Sequence, residues 1–228
     1  MEELRILSPC GILGYGFPKE SFLRGLEKDP HIIAVDAGST DAGPHKLGAG
    51  VSIVSVEAMK KDLRLILSAG YQRKIPVIIG SAGGSGAKKH VEWTMDIIQQ
   101  IVDEQNLHFE TAIISADIDK QYILKRMSEN RVKPMEFVPD LTREDLEITN
   151  SIVGQMGHEP IIEALKGGAQ LIVAGRAYDP SVFAAYPIWK GFDPGLAYHM
   201  GKILECGALC ADPGTTKDCI IAYLHKDD

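Results

Sequence analysis

Short runs of apolar, often β-branched residues recur along the chain. Between them lie longer stretches whose apolar positions fall three and four apart. The runs predict strands at residues 4–7, 32–35, 76–79, 112–115, 136–138, 171–174 and 219–223. Continuous triplets such as Val77-Ile78-Ile79 and Leu171-Ile172-Val173 suit strands covered on both faces. The intervening stretches read as helices. Val56, Met59, Leu63, Ile66 and Leu67 keep helical spacing behind a Ser55 cap, and Trp93, Ile97 and Ile101 repeat the pattern. Shorter helices are predicted at 20–27, 120–129, 160–166 and 195–209, the third ended by Gly167-Gly168. This alternation predicts an α/β fold: a mostly parallel central sheet of about six to seven strands with helices on both faces. Residues 1–228 form a single domain in this reading, with no linker and no internal repeat.

In such a sheet right-handed crossovers bring the strand-to-helix loops to one end, where ligands bind. Residues just after each strand are therefore the candidates for chemistry. After the second strand comes Asp36-Ala37-Gly38-Ser39-Thr40-Asp41. Asp36 is placed to move a proton, while Ser39, Thr40 and Asp41 offer groups that hold a substrate oxygen. An Asx-type turn closed by Asp36 on its own loop is the alternative. After the third strand stands Gly80-Ser81-Ala82-Gly83-Gly84-Ser85-Gly86, leading into a helix near Lys88. Ser81, Gly83, Gly84 and Ser85 are candidate anion ligands through backbone N–H groups at a helix N-terminus. The run is not a Walker A motif, and Lys89 occupies the third glycine of a dinucleotide fingerprint. A flexible turn is the competing interpretation. In Ser115-Ala116-Asp117-Ile118-Asp119, Asp119 reads as a helix cap and Asp117 as the better site candidate.

After the sixth strand, Gly175-Arg176-Ala177-Tyr178-Asp179-Pro180 puts a guanidinium, a phenol and a carboxylate at the same mouth. Arg176 can grip a carboxylate or phosphate, Tyr178 can bind beside it, and Asp179 can act as acid or base. A surface pair between Arg176 and Asp179 is the plainer alternative. Farther on, His199, Lys202 and Cys206 share a helix face, with Glu205 beside them, so His199 is a candidate proton shuttle. His158-Glu159 is a further polar pair before Pro160. No G-x-S-x-G elbow supports serine hydrolase chemistry.

Composition narrows the partners. The net charge of −7 and the lack of a Lys/Arg stripe argue against nucleic acid and anionic membrane, and no apolar run reaches spanning length. The acidic N-terminus lacks signal-peptide regions. Four scattered cysteines form neither a disulfide framework nor a paired zinc motif. A cytoplasmic location is expected. No cofactor is implied by a motif, although Asp36, Asp179, His199 and Glu205 could surround a divalent metal in a hydrolytic site.

Taken together, Gly-Tyr-Gly-Phe at 14–17, the 36–41 block, the 80–86 run, 175–180 and Glu205-Cys-Gly-Ala at 205–208 resemble the acyclic terpene utilisation AtuA family. The resemblance extends over nearly the whole chain and is to the N-terminal half of that family. It implies an enzyme or enzyme subunit in the catabolism of branched or acyclic acids, with acyl-CoA type substrates. It also implies a homo-oligomer or a partner chain that supplies a missing C-terminal half. The expected activity is lyase, hydratase or isomerase chemistry on a small anionic metabolite. A metabolite-binding subunit without catalysis and a metal-dependent hydrolase are the alternatives.

Overall fold

A computed structural model describes residues 2–38 and 43–226. Six strands form one sheet: β1 (Glu3–Ser8), β2 (Ile32–Asp36), β3 (Val77–Gly80), β4 (Thr111–Ile114), β5 (Leu171–Ala174) and β6 (Ile220–His225). Their order is β4-β5-β3-β2-β1-β6, and only β6 runs antiparallel, against β1. The central register aligns Asp36 of β2 with Gly80 of β3, so the two strands end together.

Because side chains alternate across a strand, the sheet feeds two cores. On one face Leu7, Ile33, Val35, Ile79 and Val173 pack beneath α1 (Lys19–Leu26), α3 (Val56–Arg73) and α4 (Lys88–Gln105). On the other, Leu4, Ile6, Ala34, Ile78 and Ile172 meet α7 (Glu159–Lys166), α8 (Asp179–Trp189) and α9 (Pro194–Leu204). The expected helix signals operate as caps and faces. Ser55 Oγ accepts from Ala58 N at 3.2 Å, and Asp119 Oδ1 accepts from Gln121 N at 2.6 Å to start α5 (Lys120–Ser128).

Three expectations change. Residues 136–138 are a turn, not a strand: Phe137 has φ 67° and is fully exposed, so this apolar run has no sheet to join. The helix expected over 195–209 ends at Leu204, and a separate 3₁₀ turn spans Gly207–Cys210, since Gly207 at φ 62° cannot continue it. The polar loop after β2 contains α2 (Gly43–Ala49), and α6 (Arg143–Ile148) and α8 are further helices without an expected counterpart. Helix α8 escapes periodicity because residues 180–187 are all buried, leaving no polar face to mark the turns.

Candidate functional site

Asp36 terminates a central strand, and its side chain is almost wholly buried. Oδ2 accepts from Gly38 N at 2.9 Å, closing the Asx turn that the local sequence allows. Oδ1 has no hydrogen-bond partner among the described residues. Burial above all, and then the Asp179 carboxylate, raise its pKa to about 8 against the lowering effects of Arg176, Gly38 N–H and the Ser81 hydroxyl.

The next strand delivers Ser81 in the left-handed region, φ 46°, an uncommon conformation for a residue with a side chain. Its hydroxyl donates to Ala177 O at 3.3 Å and accepts from Ala177 N at 3.3 Å and Arg176 Nη1 at 3.4 Å. One donor and two acceptor positions are thus used, and Ser81 works as a clamp between the β3 and β5 loops. Arg176 Nη2 lies 3.4 Å from Asp179 Oδ1, and both side chains are largely buried. Glycine at 38 lets the guanidinium approach: a Cβ there would stand 2.7 Å from Arg176 Nη1 and 2.6 Å from Ser81 Cβ.

The glycine-rich run is buried and tightly folded rather than open. Ser81 N and Ala82 N donate to the carbonyls of Gly175 and Ala174, while Gly84 N and Gly86 N donate back to Ser81 and Ala82. Gly86, at φ 69°, lies so close to the Arg176 backbone that an added Cβ would stand 2.1 Å from Arg176 N. Gly83 and Gly84 likewise sit against His90 and Ile53, and Ser85 Oγ donates to Gly43 O at 3.4 Å. These glycines serve close packing, which seats Arg176 beside Asp36.

Asp36, Ser81, Arg176 and Asp179 therefore converge, as strand-end placement predicts. Ser39, Thr40 and Asp41 lie outside the described residues. Tyr178 is half exposed at the start of α8 and stacks on Tyr198, whose hydroxyl is 2.7 Å from His158 Nδ1. His199 is exposed on α9 and makes no hydrogen bond or ion pair among the described residues. Asp117 is also exposed, its carboxylate accepting from Ser115 Oγ at 3.3 Å. Among the described residues no three His, Cys, Asp or Glu side chains gather as a metal-binding group, so the four side chains suggested for a hydrolytic metal site do not assemble. Among the described residues no helix is long and apolar enough to cross a membrane.

Glu205 is the residue whose place the sequence left open. Its side chain is nearly buried at the end of α9, ion-paired with Lys202. The Asp179 carboxyl is pushed up by burial, with Arg176 opposing, and Glu205 adds to the rise while Lys202 opposes it. Spacing on α9 put Glu205 beside the face of His199, Lys202 and Cys206, but its proximity to Asp179 depends on Gly201. There the backbone of α9 meets Pro180 O so closely that a Cβ would stand 2.5 Å away.

The sequence model of the acyclic terpene utilisation family protein AtuA matches residues 56–218. Ser81, Arg176, Asp179 and Glu205 fall inside that span, whereas Asp36 precedes it. No curated protein and no solved structure matches the chain.

Proposed function

The chain belongs to the acyclic terpene utilisation AtuA family, and from that premise we propose that it is an enzyme or enzyme subunit acting on a small anionic metabolite of carboxylate or acyl-CoA type. The reaction is of lyase, hydratase or isomerase class, a proton transfer next to a carboxylate or thioester. Arg176 holds the anionic group. Asp36 gives or takes the proton, and Asp179 orients the guanidinium that both share.

The observation that supports this reading is the state of Asp36. A carboxyl titrating at about 8 keeps its proton at neutral pH yet releases it with little cost, the condition for acid–base work near working pH. Its unpartnered Oδ1 provides an atom for that exchange, and the guanidinium nearby stabilises the anion whenever it forms.

The test is a turnover screen on hydroxy acids and their CoA esters, with binding followed by calorimetry. Asp36→Asn should retain binding and lose about 10²- to 10⁴-fold in turnover. Arg176→Ala should weaken binding by about 2–5 kcal/mol, because it leaves carboxylates unpaired in a buried setting. Because Asp36 also closes a turn on Gly38, a binding subunit without catalysis is the second reading. A ligand bound by the wild type with no turnover of any compound in the screen favours that one.

A further inference from the structure

Directly behind β4 the chain leaves the sheet as an arm. Its base is pinched where Gly154 N donates to Ala116 O at 2.8 Å and Ile118 N to Ile152 O at 2.9 Å. Over 118–152, Leu146 alone is buried. Tyr122, Met135, Phe137, Val138, Leu141 and Ile148 are all exposed. So much apolar surface on one projection marks a contact surface. Its middle, Arg131-Val132-Lys133-Pro134-Met135-Glu136-Phe137-Val138, includes the run with strand-like composition that has no sheet to join within the chain.

The edge of β4 is a strand with no neighbour. Glu110 and Ile114 turn their carbonyls towards β5, accepting from Leu171 N and Gly175 N. Backbone groups alternate in direction along a strand, so Thr111 and Ile113 point N–H and C=O away from the sheet. No backbone partner meets them there among the described residues. Beside this edge lies a groove of about 410 Å³ with apolar lining from Val91, Met95 and Ile113 and carboxylates from Glu92, Asp96 and Asp117. Lys88 also lines it, 3.8 Å from Glu92, so the balance of charge is negative. In an extended chain residues 131, 133, 135 and 137 share one side, which presents two cations and then two apolar side chains. Those groups complement the groove. Pro134 has no N–H and must face away from a pairing edge, which turns the amides of Lys133, Met135 and Phe137 towards it. In an antiparallel pair, residues bonded across from each other also put their side chains on one face. One alternation therefore brings those amides to Thr111 and Ile113 and the complementary side chains to the groove.

We propose that two copies of this chain form a two-fold dimer in which 131–138 of each adds an antiparallel strand to β4 of the other. Because the arm departs next to that edge, one axis beside β4 serves both exchanges. Met135 and Phe137 cover Val91, Met95 and Ile113, while Arg131 and Lys133 meet Glu92, Asp96 and Asp117. Phe137 exchanges its φ of 67° for an extended backbone. Asp36, Arg176 and Asp179 line neither surface, so the dimer is independent of the chemistry proposed for them.

The experiment is sedimentation of the full chain over a range of concentrations, with hydrogen exchange measured at both extremes. A monomer–dimer equilibrium is expected, in which the amides of Thr111, Ile113, Met135 and Phe137 exchange fast in the dilute chain and slowly as dimer forms. Phe137→Ser should raise the dissociation constant by about tenfold or more, because an apolar ring is lost from each of two contacts, and should leave the melting of the dilute chain unchanged. Ile113→Lys should weaken association to a similar extent from the groove side. Mixing the two variants should restore association in part, since a mixed dimer keeps one intact arm on one intact groove. A chain that stays monomeric at every concentration overturns the proposal, as does a dimer indifferent to both variants. Protection of 131–138 that does not depend on concentration places the arm on its own edge and also overturns it. So does a mixture that associates no better than either variant alone.

Discussion

At Asp36 the two carboxyl oxygens meet different surroundings, one fixed by Gly38 N–H and the other unpartnered. The same burial that raises its pKa ties stability to pH. An unfolded Asp titrates near about 3.9, whereas the folded group retains its proton until about 8. Between those values the folded state binds more protons than the unfolded one. Stability therefore falls as pH rises through that window and levels off above it. Asp179, raised in the same direction, adds to the slope. We expect thermal melting of the wild type to drop from about pH 5 to about pH 8 and Asp36→Asn to show a shallower decline. Equal slopes for the two proteins count against a raised pKa at Asp36.

Among elements, the turn joining β3 to α4 depends on glycine more than any flexible loop would. Gly86 combines φ 69° with the Arg176 backbone where a Cβ would have to stand. Gly86→Ala should lose at least about 2 kcal/mol in urea denaturation and displace Arg176. Gly48, inside α2, is a control, because a Cβ there meets nothing within 4 Å among the described residues. Gly48→Ala should gain about 0.5–1 kcal/mol from helix propensity. If both substitutions are neutral, the glycines are not packing devices.

Across the whole molecule, protection should follow the sheet's depth. Strands β2 and β3 are buried at every position and lie inside the strand order, whereas β4 is an edge whose Ile113 is exposed. Hydrogen exchange should be slowest in β2 and β3, faster in β4, and fastest across 131–141, a segment with neither helix nor strand. Phe137→Ser should leave stability within about 0.5 kcal/mol, because that ring packs on nothing. Slow exchange in 131–141 would point to structure that the isolated chain does not show.

What the sequence alone determined follows from periodicity and local chemistry. Period-two and continuous apolar runs specified all six strands of the sheet, and Ser55 and Asp119 marked helix starts because their side chains bond within their own first turns. Strand-end position was enough to bring Asp36, Ser81, Arg176 and Asp179 to one end. Tertiary structure decided the rest. Residues 136–138 have strand-like composition, but a strand exists only if a neighbour accepts its hydrogen bonds, and none does. Helix α8 has no polar face because it is enclosed by the sheet, α7 and α9, and enclosure is not written into its own residues. The acidity of Asp36, the clamp role of Ser81 and the arrival of Glu205 beside Asp179 all depend on distances between segments far apart in the chain. Those distances are set by how closely a backbone can be approached, by side chains at Gly38 and by another backbone at Gly86 and Gly201, a property that belongs to pairs of segments and not to either one.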